Sequence, residues 1–300
     1  MQEVFMAYWP KNIFSPGRKL SRLSKPSFWL ILTANILKGK QMSQKLIIVG
    51  AAGRMGRRIT ALAGQSKNFD IIGLIEDKNN PEIGRDLEQT GVKIGSEFPA
   101  GANVVVDFSL PMAFDNTLNY CLKNKAALIC GTTGLADEQI KNLEAAAKTI
   151  PVIQATNMSV GMNLLFEIVG MVAEKLGEEY DIEIVEAHHR FKKDAPSGSA
   201  MTLAQKIAQQ TKRDFPACLD IGRSGKEALR KKGTIGMQAI RLGDTVGEHS
   251  VMFGTLGETV AISHSAHSRD TFAAGAVRAA GWLIGKKPAR YSMADVLGLK

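Results

Sequence analysis

Lys45-Leu46-Ile47-Ile48-Val49-Gly50-Ala51-Ala52-Gly53-Arg54-Met55-Gly56 decides the fold. The first five residues are rich in β-branched side chains, which suits a parallel strand buried on both faces. Three glycines follow at regular spacing, and Ile59, Leu62 and Ala63 then recur with a helical period. The order is strand, glycine turn, helix. Gly50 permits the tight turn, Gly53 lets a pyrophosphate approach the backbone, and Gly56 allows helix and strand to pack closely. The spacing is G-x-x-G-x-x-G rather than G-x-G-x-x-G, so context has to support it. A second strand, Ile71-Ile72-Gly73-Leu74-Ile75, provides that context by ending at Glu76. This acid lies about 20 residues past the turn, the offset at which a carboxylate receives the ribose hydroxyls of an adenine dinucleotide.

Further strand-like runs lie at Asn103–Ser109, Ala127–Cys130 and Pro151–Ala155, with helical segments around Ala113–Lys123 and Asp137–Lys148 between them. The alternation predicts an α/β fold, a Rossmann-type doubly wound parallel sheet. The strands end in Asp107-Phe108-Ser109, Gly131-Thr132-Thr133-Gly134 and Thr156-Asn157-Met158-Ser159. Ligands bind beyond the carboxyl ends of such strands, so these tips are candidates to line a nicotinamide nucleotide. Taken singly, Gly-Thr-Thr-Gly fits an ordinary loop equally well.

A second signal is Glu186-Ala187-His188-His189-Arg190-Phe191-Lys192-Lys193-Asp194-Ala195-Pro196-Ser197-Gly198-Ser199-Ala200. A polar loop with two imidazoles feeds into a helix marked by Leu203, Ile207 and Ala208. Free N–H groups and the positive dipole end favour an anion at such a start. Gly198 lets an anion approach the backbone, and Ser197 or Ser199 can cap the helix. With His188, His189 and Lys192 beside it, the stretch reads as a pocket for an acidic small molecule that is protonated during reaction. The same residues also fit a capped surface helix behind a basic loop.

With these residues quoted, the chain resembles the 4-hydroxy-tetrahydrodipicolinate (dihydrodipicolinate) reductase family. The resemblance runs in family order through Gly-x-x-Gly-Arg-Met-Gly, Asp-Phe-Ser, Gly-Thr-Thr-Gly, Asn-Met-Ser-Val-Gly and His-His-Arg-x-Lys-x-Asp-Ala-Pro-Ser-Gly. It continues through Arg241–Asp244, Gly247-Glu248-His249 and Ser268–Phe272, and covers residues 45–300. It implies reduction of the product of dihydrodipicolinate synthase to tetrahydrodipicolinate, in diaminopimelate and lysine synthesis, with NADH or NADPH. It also implies roles. Gly50, Ala51, Ala52, Gly53, Arg54 and Met55 would hold the pyrophosphate and Glu76 the adenosine ribose. Gly131, Thr132 and Thr133, with Ala155, Thr156, Asn157 and Met158, would line the nicotinamide side. His188 would donate or accept the proton, and Lys192 would act as donor or carboxylate ligand. His189, Gly198 and Ser199 would touch the substrate. Two positions depart from the family. Phe191 stands where some members carry a third His. Asp77 stands where NADPH-using members can carry Arg, so NADH is expected to serve at least as well as NADPH.

Two other readings stay open. One is a regulator that senses NAD(P) without turnover; the other is a dehydrogenase acting on another amino acid.

The chain has 300 residues, 45% hydrophobic and 22% charged, ordinary for a globular protein of one large or two modest domains. Its formal charge of +9 is concentrated in residues 1–41, where seven cations from Lys11 to Lys40 face only Glu3. The remainder is too mildly positive to argue for nucleic acid and suits a small dicarboxylate and an anionic cofactor. Cys121, Cys130 and Cys218 show no metal spacing and suit a reducing compartment. No run reaches the ~20 apolar residues of a membrane span. These features lead us to expect a cytoplasmic protein.

Residues 1–44 read as an extension, either disordered or begun at an upstream start codon. Residues 45–158 plus 269–300 read as the dinucleotide-binding domain. Residues 159–268 read as an inserted α+β domain for substrate binding and oligomerisation. Its expected parts are a helix at Val160–Leu176, an alternating strand at Asp181–His188, and strands at Ile235–Leu242, His249–Phe253 and Thr259–Ser265. An open mixed sheet of this kind, together with the family resemblance, implies a homotetramer formed through it. On a strand, His188 and His189 would point to opposite faces, so they share a pocket only if the chain leaves extended geometry there.

Overall fold

A computed structural model describes residues 43–299. The expectations for residues 1–42 lie outside these. Strand β1 (Gln44–Val49) starts inside the stretch expected to be extension, because Gln44 already pairs with Phe69. It leads through the glycine turn into helix α1 (Arg54–Gln65) and back to β2 (Phe69–Ile75). The first lobe continues with β3 (Ile94–Gly95), β4 (Val104–Asp107), α2 (Pro111–Asn124), β5 (Ala127–Cys130), α3 (Asp137–Ala146) and β6 (Pro151–Gln154).

The second lobe comprises α4 (Val160–Leu176), β7 (Asp181–His188), α5 (Gly198–Gln210), β8 (Leu219–Ile221), β9 (Ile235–Arg241), β10 (Gly247–Thr255) and β11 (Glu258–Ala266). The chain ends with α6 (Asp270–Leu283), β12 (Ala289–Tyr291) and α7 (Met293–Leu297). The short elements β3, β8, β12 and α7 were not expected from the sequence. Their two to five residues are too few to establish a period.

The first sheet is ordered β12-β6-β5-β4-β1-β2-β3, and every pairing in it is parallel. Alternate residues of β1 feed two cores. Leu46 and Ile48 pack with α1, α6 and α7, whereas Ile47 and Val49 pack with α2 and α3. All four are essentially fully buried, each contributing roughly 1.5–3 kcal/mol. The strand order reverses between β1 and β4, which makes the tips of those two strands the ligand-binding crevice of this topology.

The second sheet is ordered β11-β10-β7-β9-β8. It is mixed, with β7 antiparallel to β10 and parallel to β9. One face packs on α4 and α5 through Ile182, Ile184, Met237, Val251 and Phe253. The opposite face carries Val185, Met252 and Ile240, which is 45% exposed. Among the described residues no helix is long and apolar enough to cross a membrane.

Two glycines mark places where backbone meets backbone. A Cβ on Gly56 would lie 2.1 Å from the Gly50 carbonyl oxygen, and one on Gly275 would lie 1.8 Å from that of Met158. Gly275 therefore lets α6 press against the chain where it leaves the first sheet. Gly275→Ala is expected to cost about 1–3 kcal/mol of stability, as overpacking does, seen as a lowered Tm in calorimetry. An unchanged Tm would mean that α6 moves aside freely.

Candidate active site

The crevice at the switch point is a cleft of about 690 Å³. Gly50, Ala52, Gly53 and Glu76 line it together with Asp77 and Phe108. Gly50 has φ +75°, a conformation that glycine adopts without strain. A Cβ there would also meet the Phe108 carbonyl oxygen at 2.7 Å. No side chain caps α1 and no acid occupies its first turn, so its N–H groups and positive dipole end are available to an anion. Arg54 stands exposed at that start, Met55 is half-buried, and Ala51 is buried in the first core. Glu76 Oε1 accepts a hydrogen bond from Ala52 N–H at 2.7 Å, which joins the acid to the turn. A cradle that any Cβ would fill, an uncapped helix start and a carboxylate at the end of β2 fit a dinucleotide.

The next strand tips are placed differently from one another. A Cβ on Gly131 would sit 2.3 Å from the Phe108 ring, so this glycine makes room for that ring. Thr132 is buried and donates to Asp107 Oδ1 at 2.9 Å, whereas Thr133 is exposed. Asp107 is itself wholly buried and also accepts from Ser109 N–H and Oγ. It ties the β4 and β5 tips together, a function the sequence reading did not give it. Ala155, Thr156 and Asn157 line a separate cavity of about 260 Å³. The Met158 side chain lies in the first core. Only its backbone remains to face a ligand.

The second cluster forms at the end of β7. Glu186 and His188 alternate onto the same buried face, and His188 Nδ1 lies 2.5 Å from Glu186 Oε2. Arg241 grips the same carboxylate with both nitrogens, each at 2.9 Å, and Ser197 N–H donates to Oε1 at 3.0 Å. Burial pushes the Glu186 carboxyl up, but hydrogen bonds from His188 and Arg241 outweigh it and hold the group at about 2. The His249 ring stands edge-on to His188 with centroids 5.2 Å apart. Burial, reinforced by the neighbouring His188, drives His249 down to about 3. Its Nε2 faces Ser197 Oγ at 3.2 Å.

The chain leaves extended geometry after His188, as a shared pocket requires. Arg190 N–H bonds to Gly243 O and Lys192 N–H to His189 O. His189 is half-buried. Burial, followed by the charges of Arg269 and Arg54, lowers its tendency to protonate.

Ser197 is the cap of α5, accepting from Ala200 N–H at 3.2 Å. Ser199 instead accepts from Asn157 Nδ2 at 3.0 Å, bridging the two lobes. The space above Gly198 is open. Lys192 does not reach His188; its ammonium pairs with Asp194 at 2.8 Å. Phe191 is 80% exposed, outside the cluster. Sequence reasoning missed Glu186, Arg241 and His249 as a unit with His188. The period-two pattern of β7 carried part of the signal, since it places Glu186 and His188 on one face.

A nucleotide cleft at a switch point, facing a lobe with a buried imidazole–carboxylate pair beside a capped helix start, defines the class: a two-lobed, dinucleotide-dependent oxidoreductase. Known proteins narrow it. A family model described as dihydrodipicolinate reductase, N-terminus, matches residues 44–158, and one described as dihydrodipicolinate reductase, C-terminus, matches residues 161–297. This chain belongs to the dihydrodipicolinate reductase family.

The 4-hydroxy-tetrahydrodipicolinate reductase of Alkalilimnicola ehrlichii is 43% identical over 267 residues, covering 86% of this chain and 100% of that protein. The reductase of the same name from Hahella chejuensis is 43% identical over 265 residues, 85% of this chain and 99% of that one. The fold is shared with a dipicolinate-bound dihydrodipicolinate reductase from Paenisporosarcina sp. TG-14. Its TM-score is 0.65 at 22% identity, covering 85% of this chain and 99% of that one.

Proposed function

We propose that this chain is a 4-hydroxy-tetrahydrodipicolinate reductase, reducing the product of dihydrodipicolinate synthase to tetrahydrodipicolinate for diaminopimelate and lysine synthesis. The observation that carries this reading is family membership through both halves of the chain. Residues 45–158 with 269–300 form the dinucleotide-binding part, and 159–268 the substrate part. NADH or NADPH, when bound, supplies the hydride.

The chain's own residues do the rest. Gly50 to Met55 hold the pyrophosphate at the uncapped start of α1, and Glu76 takes the adenine ribose. Gly131 to Thr133 and Ala155 to Met158 form the nicotinamide side. His188 delivers the proton that quenches the negative charge left by hydride addition, as a positioned imidazole can near neutral pH. Gly198 and Ser199 receive one substrate carboxylate at the start of α5. His189 and Lys192 face the other.

The buried His188–Glu186 pair favours this reading over a sensor, which needs no proton donor. Mixing the protein with dihydrodipicolinate synthase product and NADH, and following loss of reduced-nicotinamide absorbance, tests it. Turnover with this substrate is expected; binding of NADH without turnover would support the sensor, and turnover only with another imino acid the alternative dehydrogenase.

Cofactor choice follows from the cleft. Glu76 and Asp77 both line it beside Lys78, and exposed Arg54 stands at the turn. Arg57, the next cation along α1, is paired with Glu82 at 2.8 Å. A 2′-phosphate beside two carboxylates is repelled, by about 4 kcal/mol per pair of charges at 4 Å and an effective dielectric of 20, and by less when exposed. NADH is therefore expected to be at least as good as NADPH. Asp77→Arg is expected to move the kcat/KM ratio towards NADPH. A preference of the unmodified enzyme for NADPH above about tenfold would show that Lys78 or Arg54 dominates.

The half-exposed face of the second sheet, with Val185, Ile240 and Met252, suits association of copies, and the reading is a cytoplasmic homotetramer. Light scattering is expected to give four times the chain mass. A mass of one chain at working concentration would exclude it.

A further inference from the structure

Glu186 is a wholly buried carboxylate that does not itself touch the substrate or cofactor in the proposed reaction. Isolated buried charges are costly, and each one present needs an explanation. This one is fully satisfied, and its two oxygens face different parts of the site. Oε2 meets His188 Nδ1 and Arg241 Nη1; Oε1 meets Ser197 N–H and Arg241 Nη2. Arg241 also donates to the Asp194 carbonyl at 2.6 Å, pinning the approach to the Ser197 turn. We propose that Glu186, clamped by Arg241, is a positioning residue: it fixes which nitrogen of His188 reacts and locks that ring to the carboxylate-binding turn at Ser197–Ser199. The proposal rests on His188 being the proton donor.

An ionised carboxylate only accepts hydrogen bonds, so a neutral His188 must carry its proton on Nδ1. Nε2 is then the nitrogen that loses the proton to substrate, while Nδ1 keeps its own throughout. Nε2 has no partner among the described residues, and it is not among the fully buried unpartnered atoms. Gly247 keeps that edge open, since a Cβ there would stand 3.2 Å from Nε2.

The two strands beside β7 support the same orientation. β9 places Arg241 opposite His188 in register. β10 contributes His249, whose edge-on ring limits rotation. The loop after β7 brings His189 and Lys192, the latter already paired with Asp194. Of these charged and titratable groups, Glu186 is the acid bonded to the ring.

Glu186→Gln is expected to lower kcat by about 10²-fold, the low end of what a positioned acid contributes. Cofactor KM should not change. Near-normal kcat, in a variant whose His188→Gln counterpart is crippled, would overturn the proposal alone. An unchanged kcat in His188→Gln would remove the proton-donor reading beneath it, and the proposal with it. Should Glu186→Gln fail to fold, nitrogen NMR of the unmodified enzyme, with the His188 signals assigned by their loss in His188→Gln, decides the matter. The neutral ring is expected to be protonated on Nδ1; protonation on Nε2 would overturn the proposal.

Discussion

His188→Gln is expected to lower kcat by about 10²–10⁴-fold, the usual contribution of a positioned general acid. Cofactor affinity should remain close to that of the unmodified enzyme. The separation follows from placement: His188 belongs to the second lobe, bonded to Glu186 and edge-on to His249. The glycine turn and Glu76 line the cleft of the first. Gln can still hydrogen-bond but has no titratable proton to deliver near neutral pH. Stopped-flow reduction with saturating NADH gives kcat, and fluorescence quenching gives the NADH dissociation constant. A collapse of NADH binding with little further loss of kcat would place His188 on the cofactor side and refute its role as proton donor.

Arg241→Ala is expected to be the most destabilising single change in the site, at about 3–5 kcal/mol, because it breaks one partner out of a buried ion pair. Glu186 is 0% exposed, and the change removes two of its hydrogen bonds. Its dependence on pH has a definite sign. Glu186 is held at about 2, below the 4.3 of an unfolded glutamate. A group depressed in the folded state stabilises above its unfolded pKa, and that contribution disappears as pH falls from about 4.3 towards 2. The shift corresponds to something on the order of 3 kcal/mol. Without Arg241 the carboxyl rises towards its ordinary value. The stability gap between the two proteins should therefore be full at neutral pH and close progressively below about pH 4. Urea unfolding at several pH values measures it. A gap below about 1 kcal/mol at neutral pH, or one that widens towards acid, would show that Arg241 does not hold this carboxylate.

Much of the fold was legible because parallel strands announce themselves. β1 and β2 are continuous apolar runs followed by glycines and an acid, a local pattern that survives without knowledge of the neighbours. The edge elements β3, β8 and β12 were not legible, since two or three residues carry no period and exist as strands only through their partners. Lys192 shows a related limit. Its motif position suggested a donor or carboxylate ligand, and the turn after β7 adds a partner the sequence reading did not name, Asp194, two residues away.

The sequence by itself determined the strand–glycine–helix start, the alternation that makes a doubly wound sheet, the acid ending β2, and the family to which the His-His segment points. All of these are properties of neighbours along the chain. Only the tertiary structure decided that Glu186, His188, Ser197, Arg241 and His249 are one unit. These residues come from three strands and a helix start, up to 63 positions apart (from 186 to 249). Their meeting depends on the register of β7 against β9 and β10. Register is set by how each strand buries its apolar face, and no residue reports it alone. Likewise, Gly275 has its role only because α6 packs against Met158, and Gly131 only because the Phe108 ring lies above it. In each case the deciding contact joins distant segments, and it exists only once the core has brought them together.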